Sequence, residues 1–563
     1  QNTAVGSRAL QDMTTGDDNT AVGFHALHTN TTASDNTALG SYALYLNTTG
    51  TSNTAVGDEA LDANTTANNN TAIGRKELTT VQTGATNTAV GVQALEDCTG
   101  ADNTAVGGFS GYQITSGTRN AALGYAACGA VTTGADNVGI GYNGCGQVTT
   151  GNGNVGIGRN TLNTSNTASH NIAIGYTALA STTGGNNVAI GREVMVANTS
   201  GGSNTGVGAQ ALLDNTTGGT NTAVGSYSLA DNTTASNNTA VGSYALNKNT
   251  NGTLNTACGV NALRLNVSNS NNSAFGFGAL QNSNGGANNT AVGVNALTTN
   301  TTGDDNNAFG EAALDANTSG NDNNAFGVNA LTSLTTGSNN CAFGRSALGF
   351  ATTSSNNTAF GYLAANKTTT GQNNVAIGQK ALEDNTTSNH QTAVGYQALQ
   401  NATGGGNTAL GKSAGDNTTT GSNNTSLGQS AEPSSATANN QVTLGNSSVS
   451  NLRCNDTSIS SLSDERDKTE IIDLPIGLDF INGLKPRKFK WATRDGNIKD
   501  GKYRAGFIAQ ELQALESSTS VDYLDLVLDD NPDKLEATEG HLFPVLIKAI
   551  QELSTKVTAL EAA

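Results

Sequence analysis

Apolar residues along this chain follow neither the 3.6-residue stripe of a helix nor the sustained alternation of a long strand. They return every 17 residues. Asn2-Thr3-Ala4-Val5-Gly6 recurs at Asn19, Asn36, Asn53, Asn70 and Asn87 and stays in step to Gln441. That makes 27 copies, with three intervals shortened to 16 (Asn87 to Asn103, Asn171 to Asn187, Gln391 to Asn407). Such a period predicts a mainly β fold, a parallel β-solenoid whose units bury their apolar faces on one another. With each Asn as position 1, position 4 is apolar throughout (Val5, Leu39, Ile73, Cys258, Phe275, Leu444) and position 9 is usually Leu (Leu10, Leu27, Leu44, Leu297). Two core columns are expected there. Thr-Ala-Val at positions 2 to 4 predicts a short strand, with Ala on the opposite face from its neighbours. Gly fills position 5 in all 27 copies, which predicts a bend at positive φ or a close backbone approach. The following Asn-Thr-Thr-Gly is turn chemistry, and Asn repeated at one position can stack as an amide ladder. Gly111 and Gly415 replace Leu at position 9 beside shortened intervals, and read as register adjustments.

One large aliphatic, one Leu and a few Ala per coil make a thin core. Three chains sharing it around one axis is the expected remedy. At ~4.8 Å per coil the repeats would form a shaft of roughly 130 Å.

After Ser463 the pattern changes. Leu484 to Trp491 predicts a strand, Ala505 to Leu512 a strand leading into a helix. Leu546, Ile550, Leu553, Val557 and Leu560 follow spacings of 4, 3, 4 and 3. These fit either the seam of a short coiled coil or one amphipathic helix packed on its own domain. Composition breaks at the same place. Residues 464–563 hold 13 Lys/Arg and 19 Asp/Glu, whereas the preceding 463 residues hold 13 and 25. All five prolines and Trp491 lie after position 432. The reading is therefore a shaft at 1–445, a connecting segment at 446–463 and a small α+β domain at 464–563.

A net charge of −18 argues against a nucleic-acid partner, which needs clustered Lys and Arg. No apolar run reaches the length of a membrane span. The six cysteines (Cys98, Cys128, Cys145, Cys258, Cys341, Cys454) lack metal-ligand or redox spacing and read as small buried thiols. No cofactor or metal site is expected. Gly139 to Gly144 matches a dinucleotide fingerprint but has no β-α-β unit around it. Asp17-Asp18 and Asp304-Asp305 read as solvated turns, and the five histidines show no ligand spacing. Tyrosines after the Gly bend (Tyr42, Tyr125, Tyr142, Tyr176, Tyr244, Tyr396) could stack on sugars, although packing or plain surface placement accounts for them more simply. No carboxylate pair in the shaft stands out for glycoside cleavage. The chain opens in mid-repeat, so an upstream attachment region is expected.

Two resemblances add to this. Asn186 to Gly191 and Asn373 to Gly378, both NNVAIG, resemble the head repeat of trimeric autotransporter adhesins, a left-handed parallel β-roll of three chains. The array is also similar to NTAVG-type repeats in phage tail fibres. Further on, Ser463-Asp464-Glu465-Arg466-Asp467-Lys468, the block from Leu484 to Trp491, Gly506 to Leu512, and Pro544 to Val557 together resemble the intramolecular chaperone auto-processing domain. That domain is a self-cleaving peptidase ending many phage tail spikes and fibres. The resemblance implies Ser463 as nucleophile, Lys468 as its dyad partner, and cleavage between Ser463 and Asp464. It implies single-turnover autoproteolysis; in the shaft no turnover activity is evident from the sequence. The local sequence by itself fits a helix N-cap equally well. Together the two resemblances imply a structural tail-fibre or spike protein, a homotrimer assembled in the host cytoplasm for the virion. Its partners would be a host surface glycan or protein receptor and an upstream virion attachment protein. A bacterial surface adhesin with the same domain and a polysaccharide-degrading spike are the alternatives.

Overall fold

A computed structural model describes residues 1–449, 451–453, 463–491, 501–529 and 535–563. The chain divides into two compact units, residues 1–356 and 357–563. Cys454 and the connecting stretch 454–462 lie outside the described residues.

In the first unit each repeat is one coil carrying one three-residue strand, from Thr3–Val5 to Cys341–Phe343. Successive strands pair in parallel and in register, so that Thr3, Ala4 and Val5 face Thr20, Ala21 and Val22. The register holds from coil to coil because the same residue type recurs one period on. The second unit begins with six more such strands, from Thr358–Phe360 to Val442–Leu444.

The expected core columns are half right. Leu at position 9 is fully buried (Leu27, Leu44, Leu297). Position 4 is not. Val5 is 57% exposed, Leu39 47% and Phe360 56%, while the Ala between positions 2 and 4 is buried (Ala21, Ala38, Ala359). Alternation forces the choice, since positions 2 and 4 share a face and only position 3 can point inward. The coil interior also holds Ala at position 8 and Leu at position 9, which leaves methyl-sized room opposite. The sequence reading put the larger side chain inside; the cross-section admits only the smaller.

One amide ladder runs along the interior at position 1, and a second forms in separate runs at position 12. At position 1, the Asn36 backbone N–H donates to Asn19 Oδ1 at 3.0 Å and its side-chain amide donates to Gly50 O at 2.9 Å. At position 12, Asn64 donates to Asn47 Oδ1 at 2.8 Å and Asn232 to Asn215 Oδ1 at 2.7 Å. Buried Asn is tolerable because its amide finds a partner in a neighbouring coil or, as Asn30 with Ala33 O at 3.2 Å, in its own. The shortened coils drop one residue of the turn, and the position-1 ladder crosses two of the gaps, with Asn103 N donating to Asn87 Oδ1 and Asn187 N to Asn171 Oδ1, both at 2.9 Å; at the third, Asn407 Nδ2 donates to Gln391 Oε1 at 3.4 Å.

Gly at position 5 sits at φ +139 in Gly293, and a Cβ there would lie 2.4 Å from Gly310 O. Both of the sequence's reasons for an obligatory Gly therefore hold at once. Gly111 and Gly415 take φ +60 and +63, the same left-handed region as the leucines they replace, and Gly111 N still donates to Ala127 O at 2.8 Å. Buried Ile114 fills the space beside Gly111.

The second unit ends in a small α+β domain. It comprises helix α1 (Leu478–Gly483), an antiparallel pair formed by Arg487–Phe489 and Arg504–Gly506, helix α2 (Ala509–Thr519), a short pair formed by Val527–Leu528 and Glu536–Ala537, and helix α3 (Leu542–Glu561). Phe480, Leu512, Val521, Leu524, Leu526 and Val545 form its core. Glu552 of α3 accepts the Leu478 N–H at 2.8 Å, tying α3 to the start of α1. Among the described residues no helix is long and apolar enough to cross a membrane.

Candidate cleavage site and assembly surfaces

Ser463 precedes Asp464, whose backbone is extended and which leads into a single 3-10 turn, Glu465–Asp467. Asp464 caps that turn, its Oδ1 accepting the Arg466 N–H at 2.9 Å. The Arg466 guanidinium folds back onto the same carboxylate and holds the Asp464 carboxyl below the usual range. Lys468 closes the turn, its N–H donating to Glu465 O at 3.1 Å. One tight turn reverses the chain just enough for Lys468 Nζ to reach Ser463 Oγ at 2.5 Å. The cap reading and the dyad reading of this stretch are thus compatible: the cap shapes the turn that brings the two side chains together.

A lysine accepts a proton from serine only once it is neutral, and desolvation or neighbouring cations are what make it so. In this single chain Ser463 and Lys468 are both exposed. The contact has the spacing of a nucleophile and its base without the enclosure.

Two apolar surfaces also stand open. One is position 4 on the outer face of the strands, Val, Ile, Leu or Phe in coil after coil, with Phe309, Phe326 and Phe343 stacked at 4.6 and 4.4 Å. The other is on α3. That helix buries Leu542, Val545 and Ala549 against its own domain. It leaves Leu546, Ile550, Leu553, Val557 and Leu560 exposed, Ile550 by 62% and Leu560 by 76%. The five residues therefore do not pack on their own domain; Leu542, Val545 and Ala549, outside that spacing, do.

The remaining candidate residues fall into place around these surfaces. Cys98, Cys128 and Cys145 are buried, but Cys258 is exposed and Cys341 half-buried, because they occupy outward positions 4 and 2. The Cys145 thiol, hydrogen-bonded to Cys128 and buried, is held well above its ordinary value. Tyr125 stacks on Tyr142 at 5.6 Å, and Arg159 lies over both Tyr142 and Tyr176. Among the described residues no three His, Cys, Asp or Glu side chains gather as metal ligands would. Sequence reasoning passed over Glu77, which stands at the position-8 Ala site and is fully buried. Its carboxylate makes no full hydrogen bond, and burial pushes it up to about 7 despite the nearby backbone amides of Glu77 and Arg75. The only signal was a charged residue where most other coils carry Ala and the rest another small or uncharged residue.

Residues 463–519 match the family described as chaperone of endosialidase, and the match begins at the candidate nucleophile. No curated protein matches the chain.

Proposed function

We propose that three copies of this chain assemble into a receptor-binding fibre or spike of a phage tail, and that the C-terminal domain aligns them and is then cut away after Ser463. The observation that carries this reading is outward-facing apolar surface on both parts of the chain, the position-4 column and the α3 seam. A stable monomer does not leave such repeated apolar surface in water. A closed three-chain arrangement would bury the column along the axis and pair the α3 seams as a short coiled coil. A repetitive array has many near-equivalent registers, and a non-repetitive domain at one end selects one of them. Its removal would leave the shaft trapped in that register by its unfolding barrier. Manufacture in the host cytoplasm and residence in the virion follow from this reading, as does an upstream attachment partner.

Assembly would also complete the chemistry. Neighbouring chains can cover Lys468 and lower its affinity for the proton. They can also supply the scissile bond. A hydroxyl adding to the carbonyl of its own residue closes a strained four-membered ring, so Ser463 of one chain acts on the Ser463–Asp464 bond of the next. Lys468 takes the hydroxyl proton, the oxygen bonds to the carbonyl carbon, and the C–N bond breaks as the Asp464 nitrogen receives the proton. Water then hydrolyses the interchain ester to a carboxylate and regenerates the hydroxyl.

Intact mass of the purified chain tests this. Wild type should lose residues 464–563, and Ser463→Ala or Lys468→Ala homotrimers should stay full length. A tagged Ser463→Ala chain co-assembled with wild type should be cut. Normal processing of either homotrimeric variant removes the dyad; a tagged chain that is never cut returns the reaction to a single chain.

A further inference from the structure

Coils 7 to 9, which begin at Asn103, Asn120 and Asn137, depart from the rest of the shaft on their outer surface. At position 10 the preceding coils carry side chains such as His28, Tyr45, Glu96 and Tyr112, but the next two coils carry Gly129 and Gly146. Two successive missing side chains leave a depression of about 250 Å³. We propose that this depression binds one neutral sugar ring of a glycan chain.

Each wall suits that ligand. Phe109 and Tyr112 stand on the coil-7 side, ring centroids 5.9 Å apart and inclined at 65°. Aromatic rings offer flat apolar surface with a polar tip on Tyr, matching the C–H face and hydroxyl edge of a pyranose. Gln113, Asn143 and Gln147 supply amides to the same lining. An amide carries both donors and an acceptor, as a row of hydroxyls requires. Asn143 is held in place by donating to Asn160 Oδ1 at 3.3 Å. The lining contains no Asp, Glu, Lys, Arg or His, so nothing in it selects an acidic sugar or a charged peptide side chain. An extended peptide would need free backbone partners. Here Gln113 N already donates to Gly129 O at 3.1 Å and Asn143 N to Tyr125 O at 3.1 Å.

The volume falls below the ~300–1,000 Å³ of clefts that enclose a drug-sized ligand. It suits one ring of a polymer whose remaining units lie along the surface. The aromatic platform continues beside it, since Phe109 meets Tyr125 at 5.6 Å and Tyr125 stacks on Tyr142. The site uses positions 7, 10 and 11, distinct from the outward strand positions 2 and 4 that the trimer would cover. A shallow single-ring site binds weakly, and three copies on one fibre raise the avidity without further contacts. This inference deepens the reading of the chain as a receptor-binding fibre and names where and what it binds.

The test uses the full chain as expressed, on a glycan array of neutral gluco-, galacto-, manno- and N-acetylhexosamine tetrasaccharides beside sialylated and uronic-acid tetrasaccharides. Tyr112→Ala removes the one aromatic ring of the lining that carries a hydroxyl and leaves Phe109 in place. Gly129→Gln restores a long side chain at position 10 and refills the depression, and other coils carry Gln there, as at Gln11, Gln281 and Gln400. Retention of at least one neutral family is expected, with a tenfold or greater loss in both variants. Assembly by sedimentation and processing by intact mass should stay as in wild type, so that failure here is distinguishable from failure of the fibre reading. Absence of binding to every neutral member, retention of acidic members only, or neutral binding untouched by both variants overturns the proposal.

Discussion

Glu77 shows how much one residue can alter a repeat. Its coil is built like the others, but the Ala methyl of position 8 has become a carboxylate with no way out to water. The group responds by keeping its proton, which is why burial pushes it up to about 7 from an ordinary 4.5. A carboxyl raised in the folded state binds more protons folded than unfolded, so the sign follows directly. Stability of this coil is greatest below about pH 4.5 and falls as pH rises through about 7. Asp62 in the preceding coil, raised to about 6 mainly by burial, adds to the same trend. We expect amide protection at Leu78, corrected for intrinsic exchange, to decline between pH 5 and 8 in wild type. Glu77→Ala should flatten most of that decline and raise protection at pH 8. A wild-type profile that instead improves with pH would contradict the burial argument.

The coil is the element of this fold, and its shape depends on backbone strain at a repeated site. Leu297 sits at φ +51 and Leu44 at φ +50, a region costing an L-residue roughly 1–2 kcal/mol. Position 7 is left-handed as well, as at Tyr42 and Asn329. A coil can close in 17 residues only if the chain turns sharply at these points. Burying a Leu side chain contributes about 1.5–3 kcal/mol, so the strained residue is also the one whose burial compensates for it. Gly111 and Gly415 show the other solution, relaxed backbone and lost side chain. This predicts an unusual order of substitution. Leu297→Ala should destabilise by about 2–5 kcal/mol, the range for buried Leu truncation. Leu297→Gly should be milder than Leu297→Ala by about 1 kcal/mol, because glycine enters this region freely. Denaturant unfolding of the two variants measures the difference, and Gly proving the worse of the two would refute the strain account.

For the molecule as a whole, the proposed assembly would place the outward column at position 4 between chains. A single chain closes its own small interior with Ala, Leu and Asn and still carries a large aliphatic or aromatic residue on the outside of coil after coil. Replacing Phe309, Phe326 and Phe343 together by Asp leaves the coil interior untouched and puts three charges on that face. The expected result is loss of the trimer in sedimentation. The released chains should also stay uncut in intact mass, because Ser463 and Lys468 are exposed until neighbours cover them. A trimer of normal stability with these substitutions would sink the axial role of the column.

Much of this was legible from the sequence alone. Periodicity placed 27 strands, because in a solenoid the residue one period on is the spatial neighbour. A Gly repeated in every coil stated its own backbone requirement. The change at Ser463 separated repeat from domain. Ser463 and Lys468 were named from the resemblance of the blocks around them, since the local stretch alone fits a helix N-cap equally well; the structure adds that one turn brings the two side chains to 2.5 Å. What periodicity could not give was direction. It showed that position 4 is always apolar, not that it points outward, since that depends on the width of a coil interior no single repeat reveals. The left-handed leucines, the enclosed Glu77 carboxylate and the depression left by Gly129 and Gly146 likewise depend on coils stacked above and below. Sequence determines which residues are neighbours along the axis; packing across the coil decides which of them meet water.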